Sequence, residues 1–194
     1  MSNTREFAAL IPAREEDIDE VVSFYNREIE AINDDPRRMT QWSPFTPNQV
    51  ADIIDDPHSK LLVMREKLGE VAMGKVAGGV ILDKKFTAWA PQELLSPEPW
   101  HFAKFLATHT IKRLGSDALW PALLDYAEEN GASALYAEAW DFRYDGLPDD
   151  NLRKYYTDLG MEWHGTVIYR NDYYGEIIGR DRPVNRFMYE LLQK

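Results

Sequence analysis

The sequence predicts an α/β fold, a mixed β-sheet of about six to seven strands flanked by about four helices. Two observations carry this. Strands joined by short turns dominate the early part of the chain, and strand–helix–strand units dominate the later part. At the centre, Phe102–Thr108 and Ser133–Trp140 are separated by a helix-length segment, and such a crossover makes the two strands parallel.

The elements follow in order. Glu6–Ile11 alternates weakly and ends on Pro12, which reads as a short strand. From Arg14 onward, Ile18, Val21, Val22, Tyr25, Ile29 and Ile32 recur at helical spacing behind an acidic first turn. Asn33–Pro47 holds three prolines with Trp42 and Phe45, an ordered loop leading to a short helix that starts near Thr46 or Pro47. Lys60–Arg65 and Val71–Leu82 are strands of a hairpin, with Lys67–Glu70 as the turn. Residues 84–100 are rich in proline, carry Trp89 and Trp100, and lack periodicity; they form an insertion. Leu119, Leu123, Tyr126 and Ala127 give the helix Ala118–Asn130 one apolar face, and Gly131 closes it. Asp149–Leu159 is a short helix ending at Gly160. Trp163–Tyr169 and Arg186–Leu191 are the last strands. No internal repeat interrupts this order, so residues 1–194 read as one domain.

Composition narrows the function classes. The chain has 194 residues, 44% of them hydrophobic, enough for a real core. No apolar run approaches the roughly 20 residues that cross a bilayer, and the charged start is no secretion signal. The absence of cysteine removes disulfides, thiolate metal sites and a cysteine nucleophile, and points to the cytoplasm. A formal net charge of −11 argues against nucleic acid or an anionic membrane as partner. It suits a cationic amine, and equally it simply keeps an acidic protein dispersed. No His/Asp/Glu cluster has metal-ligand spacing, so no metal is expected.

The stretch THTIKRLGSDALWPALLDYAEENGASALYAEAW, followed by NLRKYYTDLGM, resembles the GNAT superfamily of N-acetyltransferases. Gln41-Trp42-Ser43-Pro44, LLDYAEENGA and KYYTDLGM are similar to one bacterial branch of small acetyltransferases. The resemblance spans nearly the whole chain. It implies acetyl-CoA as co-substrate and an amine of a small molecule or a protein as acceptor, with the chain a monomer or homodimer.

The anion-binding logic stands apart from the name. A pyrophosphate is a dense anion, and the first turn of a helix offers free N–H groups and the positive end of a dipole. Pro121 lacks an N–H, which sets the helix start near residues 117 to 118 and makes Lys112, Arg113, Gly115, Ser116 and Ala118 candidates for phosphate contact. The family's loop is Arg/Gln-x-x-Gly-x-Gly/Ala. Counting from Lys112 puts Asp117 in a small-residue slot, and counting from the paired leucines puts Trp120 there. The alternative is an ordinary glycine turn with Asp117 as N-cap.

Acyl transfer to an amine needs a proton acceptor for the amine, polarisation of the thioester and a proton for the departing thiolate. Glu138, the acid within LYAEAW, is the candidate base; the other reading pairs it with a neighbouring cation. The resemblance makes Tyr156, four residues before Gly160, the general acid, against a packing role shared with Tyr155. Tyr156 shares a helix side with Leu152 and Leu159, and Tyr155 is rotated about 100° away. His109 is the second choice for the base, and His101 flanks the same strand. The resemblance further assigns the backbone of Thr108, His109 and Thr110 to the pantetheine amides. It sets the helix-start asparagine on Asp149, with Asn151 nearby. Trp42, Phe45 and Trp89 line an acceptor pocket or anchor loops. Two other readings remain: a binding or regulatory module with a degenerate loop, and an acyltransferase with another donor.

Overall fold

The computed structural model describes residues 6–34, 44–68, 72–83, 99–107, 113–140, 152–169 and 182–191. One seven-stranded sheet runs in the order β1-β2-β3-β4-β5-β7-β6. Its strands are β1 (Ile11–Pro12), β2 (Ser59–Leu68), β3 (Ala72–Asp83), β4 (Pro99–Ala107), β5 (Ala134–Trp140), β6 (Glu162–Tyr169) and β7 (Arg182–Glu190). The helices are α1 (Ile18–Asn33), α2 (Pro47–Asp55), α3 (Trp120–Glu129) and α4 (Leu152–Asp158). The predicted fold class is the one observed. β4 and β5 are parallel, and every other neighbouring pair is antiparallel.

Alternation along the strands divides the core between two faces. Leu62, Met64, Val80, Leu82, Leu135 and Phe187 pack with Leu119 and Leu123 beneath α3, and α4 adds Leu152, Tyr156 and Leu159 at the margin. On the other face, Leu61, Val63, Val76 and Ile81 meet Val21, Phe24, Tyr25 and Ile29 of α1 and Val50 of α2. Burying one such Leu or Ile contributes about 1.5–3 kcal/mol, so both faces must be covered for the sheet to persist.

Local chemistry explains the helix ends. The Thr46 side chain accepts from the Gln49 N–H at 3.3 Å, and the Thr46 N–H donates to Gln49 Oε1 at 2.9 Å, a reciprocal cap in front of Pro47. Gly131 (φ 75°) ends α3, with the Ala132 N–H reaching the Ala127 carbonyl at 2.9 Å. Gly160 (φ 87°) ends α4 the same way, the Met161 N–H donating to the Tyr156 carbonyl at 3.1 Å.

Some boundaries differ from expectation. The first strand is Ile11–Pro12 rather than Glu6–Ile11; among the described residues before it, a Phe7–Glu66 bridge meets β2, with the Ala8 N–H on the Arg65 carbonyl and the Lys67 N–H on the Glu6 carbonyl. β7 begins at Arg182, four residues earlier than predicted, because β6 supplies partners from Tyr169 backwards. The insertion at 84–98 and the Asp149–Asn151 helix start lie outside the described residues.

Candidate active site

The parallel pair does not stay paired. β4 and β5 are in register from Pro99↔Ala134 to Phe102↔Ala137. β4 then continues to Ala107 bonded to β3 alone, and β5 continues to Trp140 bonded to β7 alone. The two strands therefore part beyond Phe102 and Ala137. Among the described residues, the inner edges of Ala103–Ala107 and Glu138–Trp140 have no strand between them. Backbone edges of this kind require partners, and an extended ligand bearing amides can supply them. The predicted edge, Thr108, His109 and Thr110, lies outside the described residues; the opening already begins at Ala103.

The helix after β4 starts earlier than the sequence implies. Leu114 is already helical, and Gly115–Leu119 forms a π-helical turn leading into α3, with the Trp120 N–H donating to the Gly115 carbonyl. Pro121 accounts for the turn. Its ring would collide with the carbonyl four residues back and cannot donate, and a widened turn accommodates both defects. Pro121 stands in the first turn of α3, but the helical path begins ahead of it, and Asp117 is not an N-cap: the Asp117 N–H already donates to the Arg113 carbonyl at 2.9 Å. The N–H groups with no carbonyl inside the helix are those of Leu114, Gly115 and Ser116. Ala118 is half-buried against the core. Arg113 enters the helix with φ 64°, a conformation non-glycine residues seldom adopt and one that concentrates at functional sites. Lys112 lies outside the described residues.

The two unfavourable residues of this loop are both accommodated. Asp117 pairs with Arg113 Nη2 at 3.1 Å and accepts from Ser116 Oγ at 2.9 Å. Trp120 turns away from the loop: it is 5% exposed, donates from Nε1 to the Leu159 carbonyl at 3.0 Å and meets Tyr189 edge-on.

Tyr156 stacks on Phe187, ring centroids 4.9 Å apart. Phe187 stands opposite Ala137, the last β5 residue bonded to β4, so Tyr156 sits level with the throat of the opening. Tyr155 meets Tyr156 edge-on. Burial and then the charge of Asp117 push the Tyr155 phenol up to about 12. Glu138 is the next residue of β5 and points to the opposite face. Its carboxylate lies 3.4 Å from Nε of Arg186, its cross-strand partner, with the side chains 10% and 21% exposed. The sequence alternative of a carboxylate paired with a neighbouring cation is therefore present. Sequence reasoning missed Arg186 and the placing of Tyr155, because cross-strand register and helix phase appear only once the sheet is assembled.

The remaining candidates are dispersed. The His101 backbone pairs with Tyr136 and Asp83. Phe45 is clamped by Asn26, whose amide accepts from the Phe45 N–H at 2.7 Å and donates to its carbonyl at 2.9 Å. Trp42, Trp89 and Asn151 lie outside the described residues. Among the described residues no group of three or more His, Cys, Asp and Glu is placed to hold a metal ion, and no helix is long and apolar enough to cross a membrane.

No protein-family model and no curated protein sequence matches the chain. Solved structures do. The chain is similar to an N-acetyltransferase from Staphylococcus aureus Mu50 (TM-score 0.59, 14% identity, 95% of this chain and 97% of that one). It is similar to the ribosomal-protein-alanine N-acetyltransferase of Brucella melitensis (0.61, 14%, 95% and 100%). It is also similar to the spermidine N-acetyltransferase of Vibrio cholerae, solved in complex with CoA and spermine (0.61, 14%, 95% and 95%). At these identities the likeness establishes the fold, which is that of the GNAT N-acetyltransferases.

Proposed function

We propose that the chain is an N-acetyltransferase that takes an acetyl group from acetyl-CoA and delivers it to an amine of a small molecule or a protein. The observation that carries this is the parting of β4 and β5 beyond Phe102 and Ala137, with a helix N-terminus following β4 and Tyr156 and Glu138 on the two faces of the gap. Solved neighbours with the same fold include a complex with CoA and spermine.

The residues present fit such a co-substrate. The edge of Ala103–Ala107 that has no strand partner among the described residues is available to the pantetheine amides, and Thr108, His109 and Thr110, next in sequence, are the further candidates. The N–H groups of Leu114, Gly115 and Ser116 and the Arg113 side chain are available to a pyrophosphate, Lys112 just before them in sequence is a further candidate, and Ala118 adds little bulk to the turn. Asn151, which directly precedes α4 in sequence, is the candidate for a side-chain contact. Acetyl-CoA supplies the acyl group and a thiolate leaving group. Glu138 takes a proton from the acceptor amine, directly or through water, and the Tyr156 hydroxyl gives one to the sulfur.

A second reading has its own observation. Asp117 places a carboxylate beside the phosphate position, and Arg113 is occupied with it, as suits a binding module that has lost CoA chemistry. A thermal-shift titration separates the two. Acetyl-CoA at about 100 times its dissociation constant stabilises a fold by about 2.7 kcal/mol, or roughly 5–10 °C for a chain of this size. A melting temperature unmoved up to millimolar acetyl-CoA, with no heat in calorimetry, eliminates the enzyme.

A further inference from the structure

Glu138 is the first residue of β5 beyond its last pair with β4, Phe102↔Ala137. On the other side the pairing continues. β5 and β7 keep an unbroken antiparallel register from Ala134↔Glu190 to Trp140↔Val184, which sets Arg186 directly across from Glu138. Directly opposed residues hold their Cβ atoms about 4.5–5.5 Å apart, so register brings these two side chains together. Arg186 Nε lies 3.4 Å from Glu138 Oε1, with the side chains 21% and 10% exposed. The Arg113–Asp117 pair, at 69% and 53%, is far more open to solvent. The screening that weakens a surface pair therefore counts for less at Glu138. At 3.4 Å the contact acts through charge more than through an aligned charge-assisted hydrogen bond, which runs about 2.7–2.9 Å.

Building on the acetyl-CoA reading above, we propose that Arg186 is a positioning residue for the transfer: it keeps the Glu138 carboxylate ionised and in place where β4 and β5 part. The need is physical. Burial favours the protonated form of a carboxyl, and a protonated Glu138 cannot take a proton from the amine. A cation within about 4–6 Å opposes this, lowering the titration of a carboxyl by about 1–3 pH units. Other ionisable groups share this face. Tyr136 of β5 lies two residues back, and burial and then the charge of Glu190 on β7 push its phenol up, so it stays neutral. From α1 comes the buried Glu28, which Arg27 Nη2 meets at 2.9 Å. Arg186 is the cation in register with the base.

Carboxyl carbon-13 NMR of the free protein reads the pair without any ligand, with Glu138→Gln identifying the resonance. Arg186→Met removes the charge and keeps an unbranched side chain, so Glu138 is expected to titrate about one pH unit or more above its native midpoint. Arg186→Lys returns the charge and should recover most of that difference. Should Arg186→Met not fold, Arg186→Gln takes its place. Equal Glu138 midpoints in the native and charge-free proteins, both folded by their melting temperatures, overturn the proposal. The reaction supplies the second readout. With acetyl-CoA and whichever amine the native protein accepts, the acidic limb of kcat/KM should move up by the same interval in Arg186→Met and return in Arg186→Lys. A limb that stays put while the NMR midpoint moves makes the pair structural only and overturns the positioning role. A native protein that binds no acetyl-CoA at millimolar concentration removes the acetyl-CoA reading, and with it the reaction Arg186 would serve. The NMR midpoints tell that failure apart from a failure of the pair.

Discussion

Tyr25→Phe tests a single oxygen in the core of the α1 face. Tyr25 is 1% exposed, its ring meets Phe24 and Phe45 edge-on at 5.4 Å, and its hydroxyl has no hydrogen-bond partner among the described residues. A buried hydroxyl without a partner costs about 1–3 kcal/mol. Removing it leaves the ring contacts in place, so the variant should gain about 1–2 kcal/mol, a rise of roughly 3–6 °C in melting temperature. A pH signature accompanies it. Burial pushes the Tyr25 phenol well above its ordinary range, so the folded chain keeps a proton that the unfolded chain releases above about pH 10. Stability from this group is complete below the unfolded value and falls as pH rises past it, by about 1.4 kcal/mol per unit. Phenylalanine has no such loss, so the advantage of the variant should widen between pH 9 and 11. Tyr155 titrates in the same direction, but it is present in both proteins and cancels in the difference. Urea melts of both proteins at pH 7, 9 and 10.5 provide the comparison. A variant less stable than native at pH 7, or a gap that does not grow with pH, refutes the orphaned hydroxyl.

The remaining predictions concern the same face and the two candidate catalytic groups. Gly79→Ala would place a Cβ 2.8 Å from the Tyr25 hydroxyl; it should cost about 1–3 kcal/mol and cost less in a Tyr25→Phe background, as paired melts would show. On the acetyl-CoA reading, Glu138→Gln should lower acetyl transfer to whichever amine the native protein accepts by roughly 10²-fold with CoA affinity retained, and full activity would clear Glu138 of the base role. Tyr156→Phe should lower kcat while the chain folds and binds CoA; a loss of stability alone, with turnover per folded molecule intact, would reduce Tyr156 to a core ring on Phe187.

What the sequence made legible is what local chemistry decides. The α1 stripe, the Thr46–Pro47 start and the Gly131 and Gly160 ends rest on residues within a turn or two of each other, and the parallel pairing of β4 with β5 follows from the helical crossover between them. What it hid depends on partners far along the chain. β7 begins at Arg182 because β6 lies beside it, and Arg186 becomes the neighbour of Glu138 only through the register of β7 with β5. Pro121 misled for a different reason. It stands in the first turn of α3, as its missing N–H requires, but its position gave no sign of the π-turn in front of it, which the Trp120–Gly115 bond reveals.

The gap between β4 and β5 reconciles placements that otherwise conflict. Glu138 and Tyr156 belong to opposite faces of the sheet, the first beside Arg186 and the second on Phe187. Across an intact parallel pair no single molecule could be reached by both. Here pairing stops at Ala137, the residue just before Glu138 and directly opposite Phe187. A reacting centre lodged between the strands at that level is open to a carboxylate from one face and a phenol from the other. On the acetyl-CoA reading, the amine nitrogen and the sulfur meet at one carbonyl carbon, and the proposed base and acid would reach them from different faces. The same geometry explains why the loop tolerates Asp117. The π-turn carries it on the exposed side of the helix with Arg113 at hand, while Trp120, three residues on, is turned inward to tie α3 to α4. A regular α-helical turn in front of Pro121 would have changed the phase between these residues and with it the side on which the charge is carried.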